Sequence, residues 1–105
     1  MRVVFIGDIF GRSGREALAA YLPEIKEKSR ADIIIVNGEN SAHGRGITPQ
    51  IADEIFDLGA DCITTGNHIW DQREIIPYIT KNSNILRPLN FPDGTPGKGL
   101  FEMSL

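Results

Sequence analysis

Three short segments of this 105-residue chain join a glycine to side chains able to hold a metal ion or move a proton: Gly7-Asp8, Gly38-Glu39-Asn40 and Gly66-Asn67-His68. Asp8 and Glu39 are hard anionic oxygen donors, and the amides of Asn40 and Asn67 offer neutral oxygens. Such a set suits Mn²⁺, Fe or Mg²⁺ better than a thiolate-dominated structural zinc site. A carboxylate can bridge two cations about 3.5–4 Å apart, and Glu39, central in the pattern, is the natural bridge. His68, beside Asn67, has the chemistry of a general acid or base. The spacing is regular. Asp8 and Glu39 are 31 residues apart, Glu39 and Asn67 are 28 apart, and each interval is about one βαβ unit. Equal phase in that repeat brings all three segments to the carboxyl edge of a parallel sheet, where open α/β folds bind their ligands. Glycine before each polar residue lets the backbone turn sharply there.

The elements that must position these groups are legible around them. Val3-Val4-Phe5-Ile6 and Ile33-Ile34-Ile35-Val36 are continuous apolar runs, and Cys62-Ile63-Thr64-Thr65 is a weaker third. Continuous rather than alternating runs predict strands buried on both faces. Ala17, Leu18, Tyr21, Leu22 and Ile25 follow helical spacing, and Pro23 is expected to break or re-nucleate that helix. A second helix should start at Thr48 as N-cap with Pro49 in its first turn, place Ile51, Ile55 and Leu58 on one face, and stop at Gly59. A third is expected from Asp71, with Asp71-Gln72-Arg73-Glu74 as a capping box. The fold class is therefore α/β, a mainly parallel sheet with right-handed βαβ crossovers. Ile85-Leu86 is a candidate fourth strand. Asn90 to Gly99 is rich in Pro and Gly, and Phe101 to Leu105 alternates like a half-exposed strand. Ending inside a strand leaves an unpaired edge, so residues 1–105 are expected to form a single partial domain, truncated within that last strand.

Composition narrows the function classes. A net charge of −3 argues against a broad nucleic-acid surface, which needs a basic stripe, yet leaves room for a phosphate-bearing substrate where bound cations supply positive charge. One cysteine makes no internal disulfide. The apolar run at Val3 to Ile6 is too short for a signal peptide or membrane span. A cytoplasmic protein with no membrane contact is the expectation.

Taken together, Gly7-Asp8-Ile9-Phe10-Gly11, Asn37-Gly38-Glu39-Asn40 and Thr65-Gly66-Asn67-His68 resemble the calcineurin-like metallophosphoesterases, most closely the bacterial YmdB-like branch with its GEN second motif. The similarity continues through Gly46-Ile47-Thr48-Pro49, Ile69-Trp70-Asp71 and Leu86-Arg87-Pro88-Leu89-Asn90, and so covers almost the whole chain. The resemblance implies the N-terminal portion of a metallophosphoesterase-type α/β sandwich. It implies that Asp8 and Asn40 help hold one metal, that Glu39 bridges two, that Asn67 binds the second and that His68 is the proton donor. It further implies two divalent or trivalent ions (iron or manganese first, magnesium or zinc as alternatives), phosphodiesterase activity on 2′,3′-cyclic nucleotides, and homo-oligomeric assembly. Members of the family also use histidine ligands on later strands. This chain has only His43 and His68, and neither can fill those places, so the 105 residues alone are expected to be inactive.

Other readings of the same residues are plainer. Asp8 could close an Asx-turn, and His68 could be a structural histidine. Helix capping accounts for Asp71, which is left out of the site. Cys62 reads as a small buried hydrophobe, His43 as a solvated loop residue, and Arg12 and Arg45 as surface charge rather than phosphate ligands. Gly7, Gly11 and Gly14 match neither G-x-G-x-x-G nor a P-loop. Two rival functions follow: a catalytically dead α/β module that self-associates or binds a partner through its open sheet, and a nucleotide-binding domain without hydrolysis.

Overall fold

A computed structural model describes residues 1–105. Four strands, β1 (Val3–Ile6), β2 (Ile33–Asn37), β3 (Cys62–Thr64) and β4 (Ile85–Leu86), form one sheet in the order β1-β2-β3-β4. Every pairing is parallel, with Val4 opposite Ile34, Ile6 opposite Val36, Val36 opposite Ile63, and Ile63 opposite Ile85. Helices α1 (Gly11–Ser29), α2 (Pro49–Asp57) and α3 (Ile75–Lys81) make the crossovers, and a short 3-10 turn (Ile69–Asp71) precedes α3. Right-handed crossovers between successive neighbours place all helices on one face. The register confirms it, because Ile34, Val36, Ile63 and Ile85 are fully buried and pack with Leu18, Leu22, Ala52, Ile55, Ile75 and Ile79 of the helices. Burying each such aliphatic side chain is worth about 1.5–3 kcal/mol.

The opposite face departs from the expectation of strands buried on both sides. Val3 and Phe5 are 48% and 58% exposed, and Ile33 and Ile35 are half-buried. The last residues of the chain lie against this face, where Leu100, Phe101 and Met103 share a depression with Met1, Ile33, Ile35, Cys62 and Leu86. The strand expected at Phe101–Leu105 is not formed. Its alternation finds no strand to pair with; Phe101 and Met103 line the depression on the sheet instead, while Leu105 stays exposed.

Two helix expectations also change. Pro23 does not interrupt α1, which runs unbroken for 19 residues. Pro23 and Ala19, whose carbonyl would have accepted the missing N–H bond, are both exposed, while Leu18 and Leu22 anchor the buried stripe. The unmade bond faces water, where it costs least. Asp71 does not start α3. Glu74 takes the N-cap position without a side-chain bond, and Asp71 ends the 3-10 turn. Helix α2 follows its sequence signals: Thr48 Oγ1 accepts from Ile51 N at 3.2 Å, and Pro49 opens the first turn.

Candidate active site

The carboxyl ends of β1, β2 and β3 meet around an open cavity of about 500 Å³ lined by Phe5, Gly7, Asp8, Asn37, Glu39, Asn40, Asn67 and His68. All five residues singled out for chemistry, Asp8, Glu39, Asn40, Asn67 and His68, therefore share one rim, although they come from three separate βα connections. The backbone locks these connections together. Ile9 N donates to Asn37 O at 3.1 Å, Gly11 N to Asn40 O at 3.0 Å, and Gly38 N to Thr64 O at 3.0 Å. Ser41, fully buried, donates through Oγ to Gly38 O at 2.6 Å, and Arg15 Nη1 donates to Ser41 O at 2.6 Å.

Asp8 sits at φ +30°, a backbone region that non-glycine residues enter rarely and that clusters at functional sites. Its carboxylate accepts from Asn40 Nδ2 at 2.8 Å, which leaves the Asn40 amide oxygen for another partner. Glu39 is half-buried, with Asn37 Nδ2 at 3.5 Å from its Oε1. The carboxylate lies directly over Gly66, where any β-carbon would collide with it. Gly66 is thus the close approach that lets the second segment cross the third.

His68 bonds through Nδ1 to Asp71 Oδ2 at 2.9 Å. A carboxylate can only accept, so Nδ1 carries the proton and Nε2 is the remaining ring nitrogen. Asn37 and Asp71 belong to this constellation and escape the sequence reading. Asn37 is the last residue of β2, its polar side chain hidden within an apolar run. Asp71 stands three residues after His68 in a pattern that also reads as a capping box.

The donor chemistry fits a hard cation, with two carboxylates and two amides on one rim. It falls short of a closed shell, since no three His, Cys, Asp or Glu side chains converge closely enough to hold a metal. His43, Arg12 and Arg45 are exposed and outside the cavity lining, and Cys62 is buried in β3. Burial, assisted by the charge of Asp61, pushes the Cys62 thiol up from its usual range. No helix is long and apolar enough to cross a membrane.

A parallel sheet with helices on one face and acid, amide and imidazole groups at its carboxyl edge is the N-terminal portion of a metallophosphoesterase-type α/β sandwich. Comparison with known proteins agrees. The YmdB-like protein family profile matches residues 4–105, and the chain belongs to that family, the branch its motifs resemble. It is 49% identical over 100 residues to a 2′,3′-cyclic-nucleotide 2′-phosphodiesterase of Bacillus subtilis, covering 95% of this chain and 38% of that protein. A crystal structure of a hypothetical protein from Thermus thermophilus superposes with a TM-score of 0.92 at 39% identity, over 100% of this chain and 40% of the other. A phosphatase from Mycoplasma pneumoniae superposes with a TM-score of 0.86 at 33% identity, over 97% of this chain and 38% of the other. The chain spans about two-fifths of the length of these relatives.

Proposed function

We propose that these residues form one half of the centre of a metal-dependent phosphodiesterase that hydrolyses 2′,3′-cyclic nucleotides. The observation carrying this reading is the convergence of Asp8, Glu39, Asn40, Asn67 and His68 on one cavity; the name of the Bacillus relative supports the substrate class. Asp8 and Asn40 would hold one cation, Asn67 a second, and Glu39 would bridge them, with iron or manganese ahead of magnesium or zinc as the family resemblance implies. When bound, such ions supply charge stabilisation for the phosphoryl oxygens and an activated water. The protein's part is to fix these donors on a rigid edge and to present His68 to the leaving oxygen.

Four oxygen donors and no further histidine leave the shell open, so the 105 residues alone bind metal weakly and turn over little or no substrate. The test is hydrolysis of a 2′,3′-cyclic nucleotide and of a p-nitrophenyl phosphodiester by an active enzyme carrying these residues, stripped of metal and titrated with Mn²⁺. Glu39→Gln should weaken metal binding, because a neutral amide replaces an anion between cations. His68→Ala should keep its metal and lose about 10²–10⁴-fold on the nucleotide, with far less loss on p-nitrophenolate, which departs without a proton. Equal losses on both esters would remove the proton-donor role.

A second reading rests on the outer sheet face. Val3, Phe5, Leu100 and Met103 are 48%, 58%, 63% and 43% exposed, and an apolar face of this kind favours association. In that reading the chain pairs with a second copy, and its mass rises with concentration in light scattering. A constant monomeric mass would exclude it.

A further inference from the structure

Asp71 carries out none of the helix capping that its sequence pattern suggests, and we propose that it is the positioning residue for His68, holding the ring in the tautomer and orientation in which Nε2 serves the leaving oxygen. This inference rests on the phosphodiesterase reading above. Residues i and i+3 eclipse one another in a 3-10 turn, and the turn at Ile69–Asp71 brings Asp71 Oδ2 to 2.9 Å from His68 Nδ1. Both side chains remain partly open to solvent, at 41% and 36%, so the imidazole has no enclosing pocket to orient it. The turn itself is fixed. Ile69 is fully buried, Asp71 N donates to His68 O at 3.0 Å, and Gln72 Nε2 donates to Arg45 O at 3.1 Å. Gly46 approaches so closely that a β-carbon there would stand 2.9 Å from His68 O and 3.2 Å from Gln72 N. The loop after β2 therefore clamps the turn, and the turn aims the carboxylate.

The consequence lies in one proton transfer. Water adds to phosphorus, the bond from phosphorus to the leaving ribose oxygen breaks, and its electron pair stays on that oxygen. The donor is the imidazolium, protonated on both ring nitrogens: the oxygen takes the Nε2 proton, and the neutral Nδ1–H tautomer that remains stays hydrogen-bonded to Asp71 Oδ2. The proton released by the attacking water passes to solvent, from which Nε2 is recharged. With Asp71 gone, His68 keeps its chemistry but loses its aim and its tautomer.

The experiment combines kinetics and spectroscopy. In an active enzyme carrying these residues, Asp71→Ala should lower kcat on a 2′,3′-cyclic nucleotide by about 10- to 10²-fold, less than loss of the general acid itself. KM should stay unchanged, and the p-nitrophenyl ester should be affected far less. In the His68→Ala background, Asp71→Ala should cost nothing further, because the two residues act as one unit. An undiminished cost in that background, or equal losses on the two esters, would overturn the proposal in favour of a purely structural role. Independently, ¹⁵N spectra of histidine-labelled 105-residue protein should show His68 protonated at Nδ1, and Asp71→Ala should shift it toward the tautomer mixture of free imidazole. An unchanged spectrum in the variant would also overturn it. Should Asp71→Ala fail to fold, Asp71→Asn, equal in shape, undergoes the same comparisons. If the parent enzyme hydrolyses no phosphodiester, the functional reading fails, and the spectra still decide whether Asp71 sets the tautomer.

Discussion

Gly66→Ala should separate the site from the fold. A β-carbon at Gly66 would meet Oε2 of Glu39 first and lie 2.5 Å from both Cδ and Oε1, where ordinary contacts are 3.4–4 Å. The carboxylate must therefore retreat by more than about 1 Å. The fold should tolerate this, because the obstacle is the end of a flexible side chain whose one recorded bond, from Asn37 Nδ2, is already long at 3.5 Å. Gly66 is also absent from the positive-φ residues, so alanine adopts its backbone and restricts the unfolded chain, a gain of about 0.4–1 kcal/mol. Stability should thus stay within about 1 kcal/mol of the parent. The site should suffer more, since a misplacement of about 1 Å in a catalytic constellation costs on the order of 10²-fold. Denaturant unfolding gives the first quantity, and Mn²⁺ affinity alongside Glu39→Gln gives the second. Undisturbed Mn²⁺ affinity in Gly66→Ala, with affinity lost in Glu39→Gln, would refute the claim that this close approach sets the carboxylate. So would a stability loss of several kcal/mol.

Pro23→Ala should stabilise α1 by about 1–3 kcal/mol by restoring the missing bond to the Ala19 carbonyl, less the entropy proline removes from the unfolded chain; thermal unfolding reads it directly. Tyr78 donates to Asp53 Oδ1 at 2.8 Å, and burial, that bond and the nearby carboxylates push its phenol above the usual range. The folded state then holds the proton longer than the unfolded one, so this contribution is complete below about pH 10 and falls as pH rises further. Tyr78→Phe should flatten the alkaline limb of the stability curve, and identical limbs would contradict the assignment. Cys62, buried and with its thiol raised by desolvation, should resist a thiol reagent at neutral pH until the protein unfolds, and rapid native labelling would show that β3 opens.

Much of this architecture is readable from residue types because β-branched runs and the phase of Gly7-Asp8, Gly38-Glu39 and Gly66-Asn67 report the same parallel repeat. What escapes is decided by tertiary context. The break expected at Pro23 is overruled because Leu18 and Leu22 hold the helix to the sheet while the lost bond faces solvent. Asp71 is ambiguous by spacing alone. Capping boxes and a His-x-x-Asp pair use the same interval, and the clamp at Gly46 and Gln72 selects the second. Phe101 to Leu105 has the alternation of a strand but lacks a pairing partner, which no local pattern reveals. Likewise, the apolar runs of β1 and β2 do not disclose that one face is left largely uncovered.

The central claim is that Asp8, Glu39, Asn40 and Asn67 are metal donors. Anomalous diffraction at the manganese edge, from crystals of an active enzyme carrying these residues soaked in millimolar Mn²⁺, addresses it most directly. The account predicts a peak in the cavity within about 2.0–2.4 Å of a carboxylate oxygen of Asp8 or Glu39, completed by an asparagine amide and lost in Glu39→Gln. Manganese bound elsewhere on the chain, or a cavity with no anomalous density at saturating Mn²⁺, would contradict it.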